Sequence, residues 1–257
     1  MPTFKLTIAY DGTNYVGWQR QAAGTSIQGL LEQALAELNG GAVAVAGAGR
    51  TDAGVHALGQ VASFSLQRAI EPGTLVRALN ARLPADVRAL SADSVAEDFH
   101  ARFRASRKTY RYRICTADVL NPFERHYAWH VPGTLDVDAM DTAARSLEGR
   151  HDFAAFAAAG ATIRTTERTV MRSRVTRTKL TVESALRGGD LIAYEITGEG
   201  FLRHMVRAIA GTLVEIGRGR RPGEQMREVL SSRDRGRAGP TAPARGLFLV
   251  GVEYRDL

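Results

Sequence analysis

The hydrophobic pattern of the first part of the chain alternates between the period of a strand and that of a helix. Phe4 to Tyr10 alternates like a strand. Thr25 and Gln28 have the spacing of a helix capping box, and Gly40-Gly41 predicts a helix end. The helix between these signals, from Ser26 to Leu38, is predicted by one apolar face made of Ile27, Leu30, Leu31, Ala34, Leu35 and Leu38.

Four shorter segments complete the pattern of this first half. Val43 to Ala46 and Gln60 to Ser65 predict two strands. Pro72 predicts the start of a second helix that ends before Pro84, and Val87 to Leu90 predicts a short strand. The order β-α-β-β-α-β is that of the ferredoxin-like split motif, so we expect an antiparallel sheet with two helices on one face.

A second set of elements is predicted after about Ser106. In order, it comprises a strand from Thr109 to Cys115, a helix from Asp136 to Leu147, a strand pair at Val170 to Val182 and Leu191 to Thr197 around Gly188-Gly189, a helix from Phe201 to Ile216, a short helix starting at Pro222 and a strand from Gly246 to Tyr254. The pattern therefore predicts an α+β protein. Two ferredoxin- or RRM-like α/β halves, residues 1–105 and 106–257, are expected to form a mixed, mainly antiparallel sheet with flanking helices.

Three segments of the second half depart from a simple pattern. The Ala-rich stretch from Phe153 to Ile163 is expected to be anchored by Phe153 and Phe156. Arg218 to Arg221 and Arg233 to Pro240 are rich in arginine, glycine and proline, which predicts mobile basic loops.

Composition favours a cytoplasmic protein with an anionic partner. The 257 residues are 44% hydrophobic and carry a net charge of +7. Cys115 is the only cysteine, which excludes an intrachain disulfide and fits a reducing compartment. No apolar run is long enough to span a membrane, and the first residues lack the pattern of a signal peptide. Basic side chains form two clusters suited to phosphate, one at Arg102, Arg104, Arg107, Lys108, Arg111 and Arg113, the other at Arg164, Arg168, Arg172, Arg174, Arg177 and Lys179.

One short segment, Gly49 to Gly59, concentrates the candidate chemistry. It places Asp52 between Arg50 and Gly54 after an apolar run, which predicts an exposed carboxylate on a tight loop. A dinucleotide-binding loop is a competing interpretation, since Gly47-Ala48-Gly49 follows a predicted strand. We reject it because Asp52 would repel a pyrophosphate and no helix is predicted next. From the residues alone, Asp52 could equally be a simple turn or capping residue.

Three further segments hold candidate site residues, each with an ordinary structural alternative. Strand alternation places Tyr110 and Tyr112 on the face opposite Arg111, where they could be core residues or a platform for an extruded base. Arg203 and Arg207 lie one helical turn apart, as on a solvated basic face or beside an anion. The last strand, with Leu247, has the pattern of a buried strand. The six histidines have no metal-like spacing, so we expect no metal site.

The sequence closely resembles the TruA-type tRNA pseudouridine synthases along most of its length. Besides Gly-Arg-Thr-Asp-Ala-Gly-Val-His at residues 49–56, the matching segments are Ala9-Tyr10-Asp11-Gly12, Gly17-Trp18-Gln19-Arg20-Gln21, Asn80-Ala81-Arg82-Leu83-Pro84, Asp98-Phe99-His100-Ala101-Arg102, Lys108-Thr109-Tyr110-Arg111-Tyr112, Arg168-Thr169-Val170, Gly200-Phe201-Leu202-Arg203-His204-Met205-Val206-Arg207 and Gly246-Leu247-Phe248-Leu249-Val250. The resemblance implies a pseudouridine synthase fold with a central cleft, an enzyme without cofactor, and a homodimer that acts on tRNA. The implied substrates are uridines at tRNA positions 38, 39 and 40 in the anticodon stem-loop.

The resemblance also implies roles for individual residues. Asp52 would be the catalytic nucleophile or base, Tyr110 would stack on the uracil, and Arg207 would form an ion pair with Asp52. Leu247 would pack beneath the bound base. Arg50 would replace or contact the flipped nucleotide, and further tRNA contacts are expected from Arg20, Gln21, Arg168 and Arg203.

Two other functions remain open as alternatives, and a third, the oxidoreductase, is weakened by the rejection of the dinucleotide-binding loop. A non-catalytic RNA-binding protein would bind RNA without Asp52, although no RNP1-like string is present in the sequence. A related synthase could act on another RNA. A dinucleotide-dependent oxidoreductase would need to bind NAD. A glycosidase is disfavoured because it needs two opposed carboxylates, whereas the loop supplies one.

Overall fold

The computed structural model describes residues 1–158, 165–179 and 189–255. They form two compact units, Met1–Lys108 with Phe248–Leu257, and Thr109–Leu247. The last strand, which was predicted for the second half, belongs to the first unit from Phe248 onwards, where Phe248 and Leu249 pair with β3. The elements of the first unit are β1 (Thr3–Tyr10), α1 (Ile27–Asn39), β2 (Ala46–Gly47), β3 (His56–Ser65), α2 (Pro72–Asn80), β4 (Val87–Val95) and β10 (Leu247–Tyr254).

The sheet of the first unit has the predicted split topology. β4 and β3 flank β1, and both pair with it antiparallel. The other edge of β3 is shared by two strands. β2 pairs with it antiparallel at Ala62 and Ser63, and β10 pairs with it in parallel at His56 and Ala57. β2 is therefore much shorter than the predicted Val43–Ala46 run, and β3 starts earlier than predicted.

Helix α1 confirms the predicted apolar face but not the predicted cap. Ser26 is the N-cap, and its hydroxyl accepts a hydrogen bond from the Gly29 amide at 3.2 Å. The Thr25–Gln28 capping box is wrong, because the helix begins one residue later and the Gln28 amide instead donates to the Val45 carbonyl at 3.0 Å. Gly40, with φ of 72°, ends the helix as predicted. Helices α1 and α2 contact one another.

The second unit contains four strands that are hydrogen-bonded side by side, together with helices. Its elements are β5 (Ala105–Cys115), β6 (Trp129–His130), α3 (Val137–Arg145), β7 (Gly149–Asp152), β8 (Glu167–Lys179), β9 (Asp190–Gly198), α4 (Met205–Gly217) and α5 (Gln225–Ser232). The strand order is β5-β9-β8-β7, and β6 pairs with β5. In the described residues, pairing is mainly antiparallel and five α-helices accompany ten strands, which confirms the predicted α+β class.

Two predictions for the second unit need correction. Helix α4 begins at Met205 rather than Phe201, so Arg203 lies in the turn before the helix and not one turn from Arg207 on it. His204 breaks the helix because its backbone adopts a left-handed φ of 64°. The short helix predicted from Pro222 begins at Gln225.

The segment from Arg233 to Pro240 is held by hydrogen bonds, contrary to the prediction of a mobile loop. The Gly239 amide donates to the Thr212 hydroxyl at 2.9 Å, and Arg235 donates to the Gly239 carbonyl at 3.0 Å. A Cβ on Gly211 would lie 1.7 Å from the Pro240 carbonyl oxygen. Helix α4 therefore has a glycine at the point where its backbone contacts the backbone of this loop.

Several predicted features fall wholly or partly outside the described residues. These are Arg164, the side chain of Lys179, Gly188, the end of the strand predicted to Val182 and the Ala-rich stretch beyond Ala158. Within the described residues, Phe153 and Phe156 are fully buried, as predicted. No helix in the described part of the chain is long and apolar enough to cross a membrane.

Candidate active site

The loop that carries Asp52 is held by backbone hydrogen bonds on both sides of the carboxylate. The Trp18 amide donates to the Thr51 carbonyl at 3.1 Å, and the Val55 amide donates to the Asp52 carbonyl at 3.1 Å. Before the loop, the Ala48 amide donates to the Val61 carbonyl of β3 at 2.7 Å. The loop is thus a tight turn fixed to its neighbours, with Asp52 partly exposed at the turn and Ala53 exposed beside it.

Two buried polar side chains, those of Tyr10 and Gln60, anchor the same loop by hydrogen bonds. The hydroxyl groups of Tyr10 and Thr51 share a hydrogen bond of 2.9 Å. The Gln60 amide donates to the Gly49 carbonyl at 2.8 Å, although Gln60 lies in the middle of the apolar strand β3. Burial raises the pKa of Tyr10 to about 12, against the opposing effect of its hydrogen bonds to Thr51 and Gln60. Tyr10 is therefore a neutral anchor at physiological pH.

Close backbone approaches explain the glycines that surround the loop. A Cβ on Gly12 would lie 2.0 Å from the Val55 carbonyl oxygen, and a Cβ on Gly17 would lie 2.4 Å from the Thr51 carbonyl oxygen. The Gly12 amide donates to Nδ1 of His56 at 3.0 Å. The His56 ring in turn stacks on Phe248 with ring centroids 4.7 Å apart. Segments 10–12 and 17–18 therefore contact the loop directly through their backbone atoms.

Substitution of Tyr10 by phenylalanine tests this anchor. The change leaves the buried Thr51 hydroxyl without its partner, so we expect the free energy of unfolding to fall by about 1–3 kcal/mol. Chemical denaturation measures it. In a double-mutant cycle with Thr51→Val, the double variant should recover part of that loss. Additive effects of Tyr10→Phe and Thr51→Val would mean that the hydrogen bond does not couple the two residues.

The other candidate residues of the first unit lie on the surface. Arg50 is exposed next to the anchored part of the loop. Arg20 is exposed, and its guanidinium lies 3.3 Å from a Glu32 carboxylate oxygen. The Gln21 side chain donates to the Val16 carbonyl at 2.8 Å. Arg20 and Gln21 lie two and three residues after Trp18, whose amide is bonded to the loop.

Tyr110 occupies a buried position on β5 in the second unit. The two tyrosines of this strand share one face, as predicted, while Arg111 forms an ion pair with Glu195 at 2.9 Å. The Tyr110 ring meets the edge of the Phe201 ring, with centroids 5.1 Å apart. Phe201 belongs to the segment that leads into α4, so the strand and the helix entry meet at this aromatic pair.

Arg207 lies on α4 and is tied to the chain just before β10. Its Nε donates to the Ala242 carbonyl at 2.8 Å, and the Ala242 amide donates to the Arg207 carbonyl at 3.1 Å. Burial raises the pKa of Tyr112, and the positive charges of Arg207 and Arg245 lower it by a smaller amount. The Tyr112 hydroxyl donates to the Pro243 carbonyl at 2.7 Å. Arg207 is thereby held through the Nε of its guanidinium, beside a neutral tyrosine.

The remaining candidates of the second unit surround the same elements. Leu247 is buried and follows Gly246, whose Cα faces the Tyr112 ring so closely that a Cβ would lie 2.7 Å from it. Arg168 packs on Gly200 and donates to the Thr165 carbonyl at 2.9 Å. Arg203 is exposed. In the second unit, Tyr110 thus contacts Phe201, whereas Arg207 and Leu247 adjoin Tyr112 and residues 242–246.

Several residues that position the candidates were not predicted from the sequence. Tyr10 and Gln60 anchor the Asp52 loop, and Phe201 contacts Tyr110. Gln60 had a usable signal, since it is a polar residue at a buried position of an otherwise apolar strand. His204 carried no signal at all, because a left-handed φ of 64° at a residue other than glycine shows only in the structure.

Most arginines of the two predicted clusters are neutralised by carboxylates. Arg104 pairs with Asp98, and the other pairs are Arg107–Glu253, Arg111–Glu195, Arg113–Glu124, Arg174–Glu148 and Arg177–Asp190. Arg102, Lys108 and Arg172 form no ion pair with a carboxylate in the described residues. In the same part of the chain, no three His, Cys, Asp or Glu side chains are grouped as metal ligands.

Comparison with known proteins assigns the family. A family model described as tRNA pseudouridine synthase matches residues 6–104 and 143–255. The chain is 49% identical to tRNA pseudouridine synthase A of Myxococcus xanthus, over all of this chain and 93% of that protein. It is 49% identical to the protein of the same name from Moorella thermoacetica, over 99% of this chain and all of that protein, and 41% identical to the one from Streptococcus pneumoniae, over the full length of both. The chain therefore belongs to the tRNA pseudouridine synthases, a family of isomerases that act on tRNA.

Proposed function

We propose that this isomerase converts uridine to pseudouridine at tRNA positions 38, 39 and 40 in the anticodon stem-loop, with Asp52 as nucleophile or base. The observation that carries the proposal is the Asp52 loop. Its backbone is fixed on both sides, two buried side chains anchor it, and its carboxylate remains partly exposed. A simple turn residue would not require this support, whereas a catalytic group must be held in a defined position.

The reaction needs no second substrate. The bond between N1 of uracil and C1′ of the ribose breaks, the uracil turns, and C5 bonds to C1′. The proton on C5 leaves and N1 gains a proton, so atoms and charge balance without oxidation or net hydrolysis. One carboxylate can act as nucleophile or as base in such a sequence. The proposal leaves open whether Asp52 attacks the sugar, attacks the base or removes a sugar proton.

The residues gathered in the second unit would complete the catalytic group. We assign Tyr110 to stacking on the uracil and propose it as a candidate to take the C5 proton. Arg207 would form an ion pair that keeps the Asp52 carboxylate ionised, since a nearby guanidinium favours the charged form of a carboxylate. Leu247 would pack beneath the base. The support within this unit is that the Tyr110 ring packs on Phe201, while Arg207 is bonded to Ala242 and Leu247 follows Gly246 beside Tyr112.

Contacts to the tRNA backbone are proposed for residues at the exposed margins of both units. Arg50 would contact or replace the flipped nucleotide. Arg20, Gln21, Arg168 and Arg203 would contact the stem-loop, and Arg20 and Arg203 are exposed as this requires. We further propose a homodimer that acts in the cytoplasm, where its tRNA substrate matures.

Mapping of modified positions tests the proposal. Unmodified tRNA transcripts with a uridine at only one of positions 38, 39 and 40 are incubated with the protein, and pseudouridine is located by chemical labelling and primer extension. We expect modification at each of the three positions and none when all three are cytidine. Pseudouridine elsewhere in the tRNA, or only in other RNAs, would show a related synthase with another target. Binding without any modification would show the RNA-binding alternative.

A further inference from the structure

Residues 98–108 of the first unit present an aromatic ring and two cations that the catalytic assignment does not use. Phe103 exposes 78% of its surface. The His100 ring lies against it with centroids 4.3 Å apart, and the Arg102 guanidinium lies over it at 6.0 Å from its centroid. A single exposed apolar residue is ordinary, but an exposed ring flanked by imidazole and guanidinium is the arrangement on which nucleobases stack.

The loop beneath this ring is rigid. The Ala101 amide donates to the Ser63 hydroxyl at 3.0 Å, and the Ala101 carbonyl accepts from the Tyr254 hydroxyl at 2.8 Å. The Arg104 amide donates to the His100 carbonyl at 3.0 Å. Phe103 is therefore exposed from an ordered turn, so a base that binds there meets a preorganised surface.

The anchor of this loop is shared with the Asp52 loop. Ala101 and Phe99 pack in one buried cluster with Ala48 and Val61. Ala48 directly precedes Gly49, the first residue of the Asp52 segment, and its amide is bonded to Val61. Both loops therefore pack against β3, the Asp52 loop directly before its first residue and the Phe103 loop at Ser63, seven residues after His56.

The charges of the cluster separate into paired and unpaired cations. Arg104 and Arg107 are neutralised by Asp98 and Glu253. Arg102 and Lys108 have no carboxylate partner in the described part of the chain. Burial and, to a lesser extent, the charge of Arg102 lower the pKa of Lys108 to about 8. Two neighbouring cations, one of them partly desolvated, would be stabilised by an anion between them.

We propose that His100, Arg102, Phe103 and Lys108 form a binding site for one unstacked nucleotide of the RNA substrate, with the base on Phe103 and the phosphate at Arg102 and Lys108. The inference rests on the proposed function for the identity of the RNA. Nδ1 of His100 accepts from the Arg102 amide at 3.1 Å, so in the neutral ring Nε2 carries the hydrogen and can donate to the nucleotide.

Substitution of Phe103 by alanine tests the stacking interaction. Loss of a stacked base is expected to weaken tRNA binding by about 5- to 150-fold, and kcat/KM should fall in parallel. Phe103→Tyr retains a ring and should restore binding. Phe123→Ala is the matched control, because Phe123 is 82% exposed in the other unit and has no cation over its ring in the described residues. Fluorescence anisotropy with a labelled tRNA transcript measures the affinities.

Substitution of Arg102 by glutamine tests the phosphate contact. It should reduce the slope of log K against log salt by about 0.7–0.9, the effect of one lost phosphate contact. Arg104→Gln is the matched control, since Arg104 lies in the same turn but is paired with Asp98, and it should leave the slope unchanged. Equal slopes for wild type and Arg102→Gln would overturn the phosphate contact.

The remaining outcomes separate this inference from its rivals. Wild-type affinity in Phe103→Ala, in a preparation that forms pseudouridine, would overturn the site while leaving the proposed function intact. A Phe103→Ala variant that dissociates from dimer to monomer in light scattering would show that the ring faces a second copy of the chain, and would also overturn it. Absence of both tRNA binding and pseudouridine formation by the wild type would overturn the proposed function and this site together.

Discussion

Substitution of Asp52 by asparagine is expected to reduce pseudouridine formation by about 10⁴-fold or more, the order of loss seen when a nucleophile is removed. Asparagine keeps the size of the side chain and removes its charge. The hydrogen bond from the Val55 amide goes to the Asp52 carbonyl, so the substitution keeps this backbone hydrogen bond of the turn. Pseudouridine in tRNA, quantified by mass spectrometry after nuclease digestion, measures the loss under single-turnover conditions.

The interpretation of this result depends on two controls. The Asp52→Asn variant should show the wild-type unfolding transition and should still bind tRNA, because the loop anchors Tyr10, Thr51 and Gln60 are unchanged. Retained binding with lost modification would assign Asp52 to the chemistry. Full activity in the variant would contradict that assignment and would return Asp52 to the role of a turn residue.

Substitution of Gly17 by alanine is expected to have the largest effect among residues that do not take part in the chemistry. Gly17 has φ of 103°, and a Cβ would lie 2.4 Å from the Thr51 carbonyl oxygen and 2.9 Å from the Asp52 carbonyl carbon. The strain and the clash together should lower the free energy of unfolding by about 2–4 kcal/mol. Displacement of the Asp52 backbone by about 1 Å should reduce the rate about 10²-fold in the folded fraction.

Gly40→Ala is the matched control for the Gly17 substitution. Gly40 also has a positive φ, of 72°, but within the described part of the chain a Cβ there would meet no atom within 4 Å beyond its own chain neighbours. Its replacement should cost about 1–2 kcal/mol from backbone strain alone and should leave the rate of the folded enzyme unchanged. Equal rates for both folded variants would show that Gly17 does not support the position of Asp52.

The elements of the first unit were predictable because their signals are local. Alternation in β1, the apolar face of α1 and the glycine at its end all depend on neighbouring residues. The short β2 was not predictable from the apolar run Val43–Ala46, because only Ala46 and Gly47 pair with β3, a strand that comes later in the chain. The capping residue of α1 was misassigned because Gln28 bonds to Val45, a partner outside the helix.

The same contrast applies to the candidate site. The sequence indicated the Asp52 loop through the run Gly-Arg-Thr-Asp-Ala-Gly-Val-His and its resemblance to the family, because a carboxylate among glycines alone suits a turn residue equally well. It could not identify Tyr10 and Gln60 as anchors, since their partners are distant in sequence. Nor could it separate Arg102 from Arg104 in the basic cluster, because ion pairing depends on the folded positions of carboxylates such as Asp98.

Tritium release from tRNA labelled at uridine C5 tests the central claim most directly, because only transfer of the glycosidic bond to C5 both displaces that proton and retains the base. The account predicts that the wild type releases one tritium for each pseudouridine formed, without free uracil, and that Asp52→Asn releases none. Free uracil would indicate a glycosidase, and equal release by the two proteins would exclude Asp52 as the catalytic residue. No release from any tRNA that the wild type binds would contradict the assignment of this chain as an isomerase.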